Sequence, residues 1–207
     1  VARILHAEGA LCCVDYAAAG PYLPIAMHPA DPAGRLDAVF LSVHKFMGGP
    51  GASGVLVAHR ELFRSRVPER PGGGTVDYVS SFEKVSVDYA PRLAEREEGG
   101  TPNILGDVRA GLAFALRELL GPERIREHEL RLAAEACRRL ARHPRIRLLG
   151  SAAAPRLPIL SFTVEGLHHD LLSALLDQLF GIQNRAGCSC AGPYGHRLLG
   201  IDRARSE

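Results

Sequence analysis

Three short apolar runs organise the first third of the chain. Ala10 to Val14 ends in Asp15, Asp37 to Leu41 leads into Ser42-Val43-His44-Lys45, and Gly54 to Ala58 follows a glycine-rich turn that starts at Gly48. The first run reads as a buried parallel strand with a carboxylate at its C-terminal edge, and a short helical piece near Glu61 to Arg66 follows the third. A Pro- and Gly-rich loop from Gly20 to Gly34 separates the first two runs, and the glycines at 72–74 and 99–100 mark Pro68 to Pro102 as a loop. Helical spacing governs Ile104 to Leu120, where Gly121-Pro122 supplies a stop. Pro122 to His143 is amphipathic, with Ile125, Leu132, Ala136 and Leu140 on one face and Arg and Glu opposite.

Beyond Pro144 the pattern changes. Arg145 to Leu149 and Leu157 to Val164 read as strands, His169 to Phe180 as a helix and Gly181 to Ala186 as a further strand. That order predicts a second, smaller α+β unit over residues 144–207, after an α/β unit over 1–143. In an open α/β sheet, ligands lie beyond the carboxyl ends of the strands. Asp15 and the Ser42–Lys45 segment occupy two such ends, and the thirty positions between Asp15 and Lys45 suit one strand–crossover–strand step.

Composition narrows the function classes. Apolar residues make up 46% and charged residues 23%, which excludes disorder as the general state. The net charge of +2, with acids interspersed among bases, gives no footprint for nucleic acid or an anionic membrane. No apolar run has the length to span a bilayer. The first residues read as the tail of a helix cut within a domain, and the last as equally abrupt, so a fragment is expected. Five cysteines at irregular spacing, with no export signal, predict a reducing cytoplasm rather than a disulfide framework. Cys12 and Cys13 fall inside an apolar run and are expected in the core. Cys188-Ser189-Cys190 lacks the spacing of a structural zinc pair, so no metal is expected.

One detail outweighs the totals. Of 25 basic residues only Lys45 and Lys84 are lysines. A guanidinium replaces an ammonium where charge alone matters, but it cannot form an imine with an aldehyde. Pyridoxal phosphate needs such a lysine, a carboxylate that keeps the pyridine nitrogen protonated, and donors for its phosphate. Lys45, Asp15 and the groups around Ser42 and the glycine turns supply all three.

The residues also carry a family likeness. Val14-Asp15-Tyr16-Ala17-Ala18 and Asp37 to Gly51, with Ser42-Val43-His44-Lys45 at its centre, resemble the cofactor region of class V aminotransferases, which include cysteine desulfurases and selenocysteine lyases. Arg96 to Asn103 resembles the family's Arg-x-Glu-x-Gly-Thr-Pro-Asn segment, and Arg185 to Ala191 resembles the desulfurase segment Arg-x-Gly-x-x-Cys-Ala. These ordered motifs span residues 14 to 191.

The resemblance implies a fold-type-I α/β protein: the later part of a large cofactor domain, then a truncated small domain. It implies Lys45 as the Schiff-base lysine, Asp15 on the ring nitrogen, Ser42 and His44 on the phosphate, and Thr101 on the phosphate of the other subunit in a homodimer. Arg185 would clamp the carboxylate of a small amino-acid substrate. Cys190 would take sulfur as a thiolate and pass it to a sulfur-acceptor protein. Ala18 departs from the desulfurase pattern, which carries a Gln there on the cofactor's phenolic oxygen. Desulfuration or selenocysteine lysis is therefore the leading expectation, with transamination or epimerisation, or a non-catalytic cofactor-binding homologue, as the alternatives. The family's upstream segment, with its ring-stacking residue and phosphate loop, is not in this sequence.

Overall fold

The computed structural model describes residues 1–82, 86–151, 154–187 and 192–206. They form two compact units, Val1–Ile125 and Arg126–Glu207.

The first unit opens with helix α1 (Ala2–Ala7), followed by strands β1 (Cys13–Asp15), β2 (Ala38–Leu41) and β3 (Val55–Ala58). β1 and β2 run parallel, with Asp15 opposite Phe40, and β3 is antiparallel to β2. Alternation along β2 decides which side chains are sequestered. Val39 and Leu41 join Val43, Phe46, Ala110 and Ala113 in the core, while Phe40 faces away and is 47% exposed. The same alternation corrects the cysteine expectation, because Cys12 is buried and its neighbour Cys13 is exposed.

The segment 68–102 holds more structure than its glycines predict. Strands β4 (Val76–Val79) and β5 (Val87–Tyr89) pair antiparallel, and helix α2 (Leu93–Glu97) follows. Each run is short, and pairing provides the order that neither has alone. The glycines at 72–74 fold round Thr75, which is fully buried; its hydroxyl donates to Gly72 O at 2.6 Å and accepts from Gly72 N at 3.0 Å. Gly100 N then donates to Gly73 O at 2.7 Å, which ties this loop to the residues before Thr101.

Helix α3 (Ile104–Leu120) matches the bounds read from its spacing. Asn103 caps it by accepting from Gly106 N at 3.2 Å, and Gly121, at φ +82°, ends it. Ala110 and Ala113 pack on the turn after β2, and Phe114 meets the Phe46 ring edge-on at 5.1 Å. The piece expected at Glu61 to Arg66 is a single 3-10 turn, Arg60–Leu62.

Helix α4 (Pro122–Leu140) has Pro at its first position, where the missing N–H costs nothing. In the second unit its arginines are exposed; Arg139 and Arg138 both pair with Glu135, Arg139 at 2.6 Å. Strands β6 (Ile146–Leu148) and β7 (Phe162–Val164) pair antiparallel, and helix α5 (His169–Phe180) follows, ended by Gly181 in the left-handed region. β7 is shorter than the run from Leu157 implied. Pro158 has no N–H for a ladder, so pairing starts later. Gly181 to Ala186 is irregular rather than a strand, and Asn184 Nδ2 fastens it by donating to Ser173 O and Ile182 O. Helix α6 (Gly192–Leu199) lies near the end. Among the described residues no helix is long and apolar enough to cross a membrane.

Candidate active site

The parallel pairing of β1 and β2 brings the two expected chemical groups to one edge of the sheet. β1 ends in Asp15, and the ladder continues one step further as Tyr16 N donates to Phe40 O at 2.8 Å. Asp15 Oδ1 accepts from Ala17 N at 2.6 Å, which fixes the carboxylate just beyond the strand. Asp15 is exposed, and among the described residues its second oxygen takes no protein donor.

β2 ends at Leu41, and the chain turns through Ser42 into a 3-10 turn over Val43–Lys45. Lys45 N donates to Ser42 O at 3.0 Å and Phe46 N to Val43 O at 2.9 Å. Val43 and Phe46 are buried on either side of the exposed pair His44 and Lys45, so two apolar anchors hold the turn and leave its polar side chains facing solvent. Gly49 lets the chain fold back over this turn, because a β-carbon there would overlap Val43 O. Gly48 and Gly51 serve differently: both have φ near +75° to +79°, where a side chain is strained.

The donor set suits pyridoxal phosphate. Among the described residues, the side chains of Ser42, His44 and Lys45 make no hydrogen bond or ion pair with other protein groups. A hydroxyl, an imidazole and an amine are thus available at one strand end, next to a carboxylate with a spare acceptor oxygen at the neighbouring end. Ala18 is exposed and offers no hydrogen-bonding side chain.

The other expected residues lie elsewhere. Thr101 is exposed in the loop before α3, two residues ahead of the capping Asn103. Arg185 is exposed in the second unit, on the irregular segment after α5. Cys190 and its neighbour Cys188 lie outside the described residues. In the second unit His168, His169 and Asp170 cluster at the start of α5, all exposed. Local bonds account for them, since His168 accepts from Asp170 N and His169 Nδ1 sits 2.9 Å from Asp170 Oδ1.

Sequence reading overlooked the opposite end of β2. Asp37, taken as the start of an apolar run, is a buried carboxylate that accepts from Cys12 N at 2.7 Å and lies 2.8 Å from His6 Nε2. The Cys12 amide, then His6, hold its carboxyl below the usual carboxylate range, against the opposing effect of burial. The only hint in the sequence is an acid at the head of an apolar run, a pattern with many other meanings.

The family model described as aminotransferase class-V matches residues 1–203. A probable cysteine desulfurase of Streptomyces coelicolor is 34% identical over 195 residues, covering 93% of this chain and 44% of that protein. A second probable cysteine desulfurase, from Mycobacterium leprae, is 34% identical over 203 residues, covering 96% and 46%. Among solved structures, the apo cysteine desulfurase of Thermococcus onnurineus superposes with a TM-score of 0.78 at 29% identity, covering 97% of this chain and 48% of that one. The chain spans about half the length of the curated relatives it matches. The mixed α/β architecture is that of the pyridoxal-phosphate enzymes of fold type I. The parallel strand ends, the lysine turn and the match over nearly the whole chain together place this protein in the class-V aminotransferase family, a family of pyridoxal-phosphate enzymes.

Proposed function

We propose that this chain carries part of the cofactor and substrate machinery of a pyridoxal-phosphate enzyme acting on a small amino acid, with cysteine desulfuration or selenocysteine lysis as its reaction. The observation that carries the reading is the placement of Asp15 and the Lys45 turn beyond adjacent ends of parallel strands. When bound, pyridoxal phosphate supplies an electron sink that stabilises negative charge at the substrate's α-carbon.

The protein's own residues take distinct tasks. Lys45 Nζ would hold the cofactor covalently and, once released by substrate, carry a proton to or from the α-carbon. Asp15 Oδ2 would keep a proton on the ring nitrogen, and its other oxygen is already fixed by Ala17 N. Ser42 and His44 would bind the phosphate, and Thr101 would reach the phosphate of a partner subunit in a homodimer. Arg185 would clamp the substrate carboxylate in a bidentate manner. Cys190 would attack the substrate sulfur as a thiolate and hand it to an acceptor protein. We assign residues 1–143 to the later part of the large cofactor domain, 144–207 to the small domain, and the enzyme to the cytoplasm.

The test uses the full-length protein. Borohydride reduction after addition of pyridoxal phosphate is expected to fix the cofactor on Lys45, read by peptide mass spectrometry. Lys45→Ala abolishes the label, and Asp15→Asn weakens cofactor binding about tenfold or more. Cysteine should yield alanine and a persulfide on Cys190, lost in Cys190→Ser and kept in Cys188→Ser. A label on another residue, or none, rejects the assignment. Ala18, lacking the amide expected of a desulfurase, favours transamination or epimerisation as the second reading, which conversion of the amino acid to its own 2-oxo acid, with the amino group passed to an added 2-oxo acid, or racemised substrate would select.

A further inference from the structure

Ser53 and Asn103, fifty residues apart, meet over Gly106. Asn103 Oδ1 accepts from Gly106 N, while its Nδ2 donates to Ser53 Oγ at 3.3 Å; Ser53 N in turn donates to Gly106 O at 3.1 Å. Gly106 is buried, and a β-carbon on it would fall on the Asn103 amide and 2.7 Å from Ser53 Oγ. The glycine keeps open the space in which the two side chains meet.

The clamp lies at a telling place in the chain. Ser53 closes the loop that leaves Lys45, whose earlier part is pinned by Gly49 N to Phe46 O and Ala52 N to Gly49 O. Asn103 follows Thr101 by two residues and caps α3. The loop behind the lysine and the segment carrying the threonine are thus fastened to one side chain. The amide does both: it offers an acceptor for the helix N-terminus and a donor for the hydroxyl. Serine at 103 would cap but fall short of Ser53.

We infer that Asn103 is a positioning residue that fixes the Lys45 loop and the Thr101 segment relative to each other. The inference rests on the cofactor roles proposed above for those two residues.

Two variants isolate the clamp, because Ser53→Ala and Asn103→Ser both remove the Nδ2–Oγ bond and both leave α3 capped. In the full-length holoenzyme each is expected to release pyridoxal phosphate about fivefold faster, the scale of one hydrogen bond. The double variant should be no faster than either single, since the same bond is lost once. The melting temperature of the cofactor-free protein should stay close to that of the unaltered protein in both. Unchanged release, or a lower melting temperature with unchanged release, overturns the inference. If the unaltered protein binds no cofactor, the proposed function fails instead. The clamp is then read by hydrogen exchange at residues 48–54: faster exchange in both variants supports it, and unchanged exchange overturns it.

Discussion

Gly49 passes so close to the carbonyl of Val43 that a β-carbon built on it would overlap the oxygen. Its φ lies outside the left-handed region, so this glycine is required for space and not for backbone freedom. Val43 is fully buried and opens the turn that presents Lys45, which makes the contact a direct constraint on where the lysine sits. Gly49→Ala must push the loop off the turn. A loss of about 2 to 3 kcal/mol in unfolding free energy is expected, the scale of overpacking at a site backed by main chain. Denaturant titration measures it, and a variant as stable as the original would show that the loop yields without cost.

Asp37 and His6 make the first unit acid-sensitive in a defined direction. The Asp37 carboxyl is held below its ordinary value of 3.8 by the Cys12 amide, then by His6, with Arg35 contributing from 3.4 Å. Arg3 and Asp31 pair with each other nearby and add no net charge. Because the folded value is the lower one, this stabilisation is complete above the ordinary value. As pH falls below that value, the unfolded chain takes up a proton first, and the contribution is gone once pH passes the folded value. Asp37→Asn should cost about 2 kcal/mol near neutral pH, the worth of a hydrogen bond to a charged group. The gap between variant and original should close on acidification, and a gap independent of pH would contradict the assignment.

Thr75 is the fully buried hub of the glycine loop. Thr75→Val keeps the shape and removes the hydroxyl that bridges Gly72 N and Gly72 O. A loss of about 1 to 2 kcal/mol is expected, since Gly72 is exposed and water replaces part of the bonding. Amide exchange at Thr75 and at Gly100, whose N–H bonds Gly73 O, should quicken. Exchange unaltered at both positions would show that the loop does not depend on the hydroxyl.

Much of this protein is legible along the chain, for local reasons. The bounds of α3 follow from apolar spacing and the Gly121-Pro122 stop, both of which act within a few residues. The placement of Asp15 and the lysine turn at adjacent strand ends is likewise readable, because each group sits at the end of an apolar run. What stays hidden depends on partners distant in sequence. The hairpin of β4 and β5 forms only because Val76 meets Tyr89, and Gly181 to Ala186, with no partner strand among the described residues, remains irregular. Cys12 and Cys13 are alike in sequence, and only the pleat of a sheet with one covered face separates the buried one from the exposed one. The roles of Asp37, Gly49 and Gly106 also emerge only when remote chain closes on them. Residue type and spacing therefore chose the elements and the chemical groups at their ends, while tertiary contact decided which polar atoms are sequestered, because burial and close approach belong to pairs of segments and not to either segment alone.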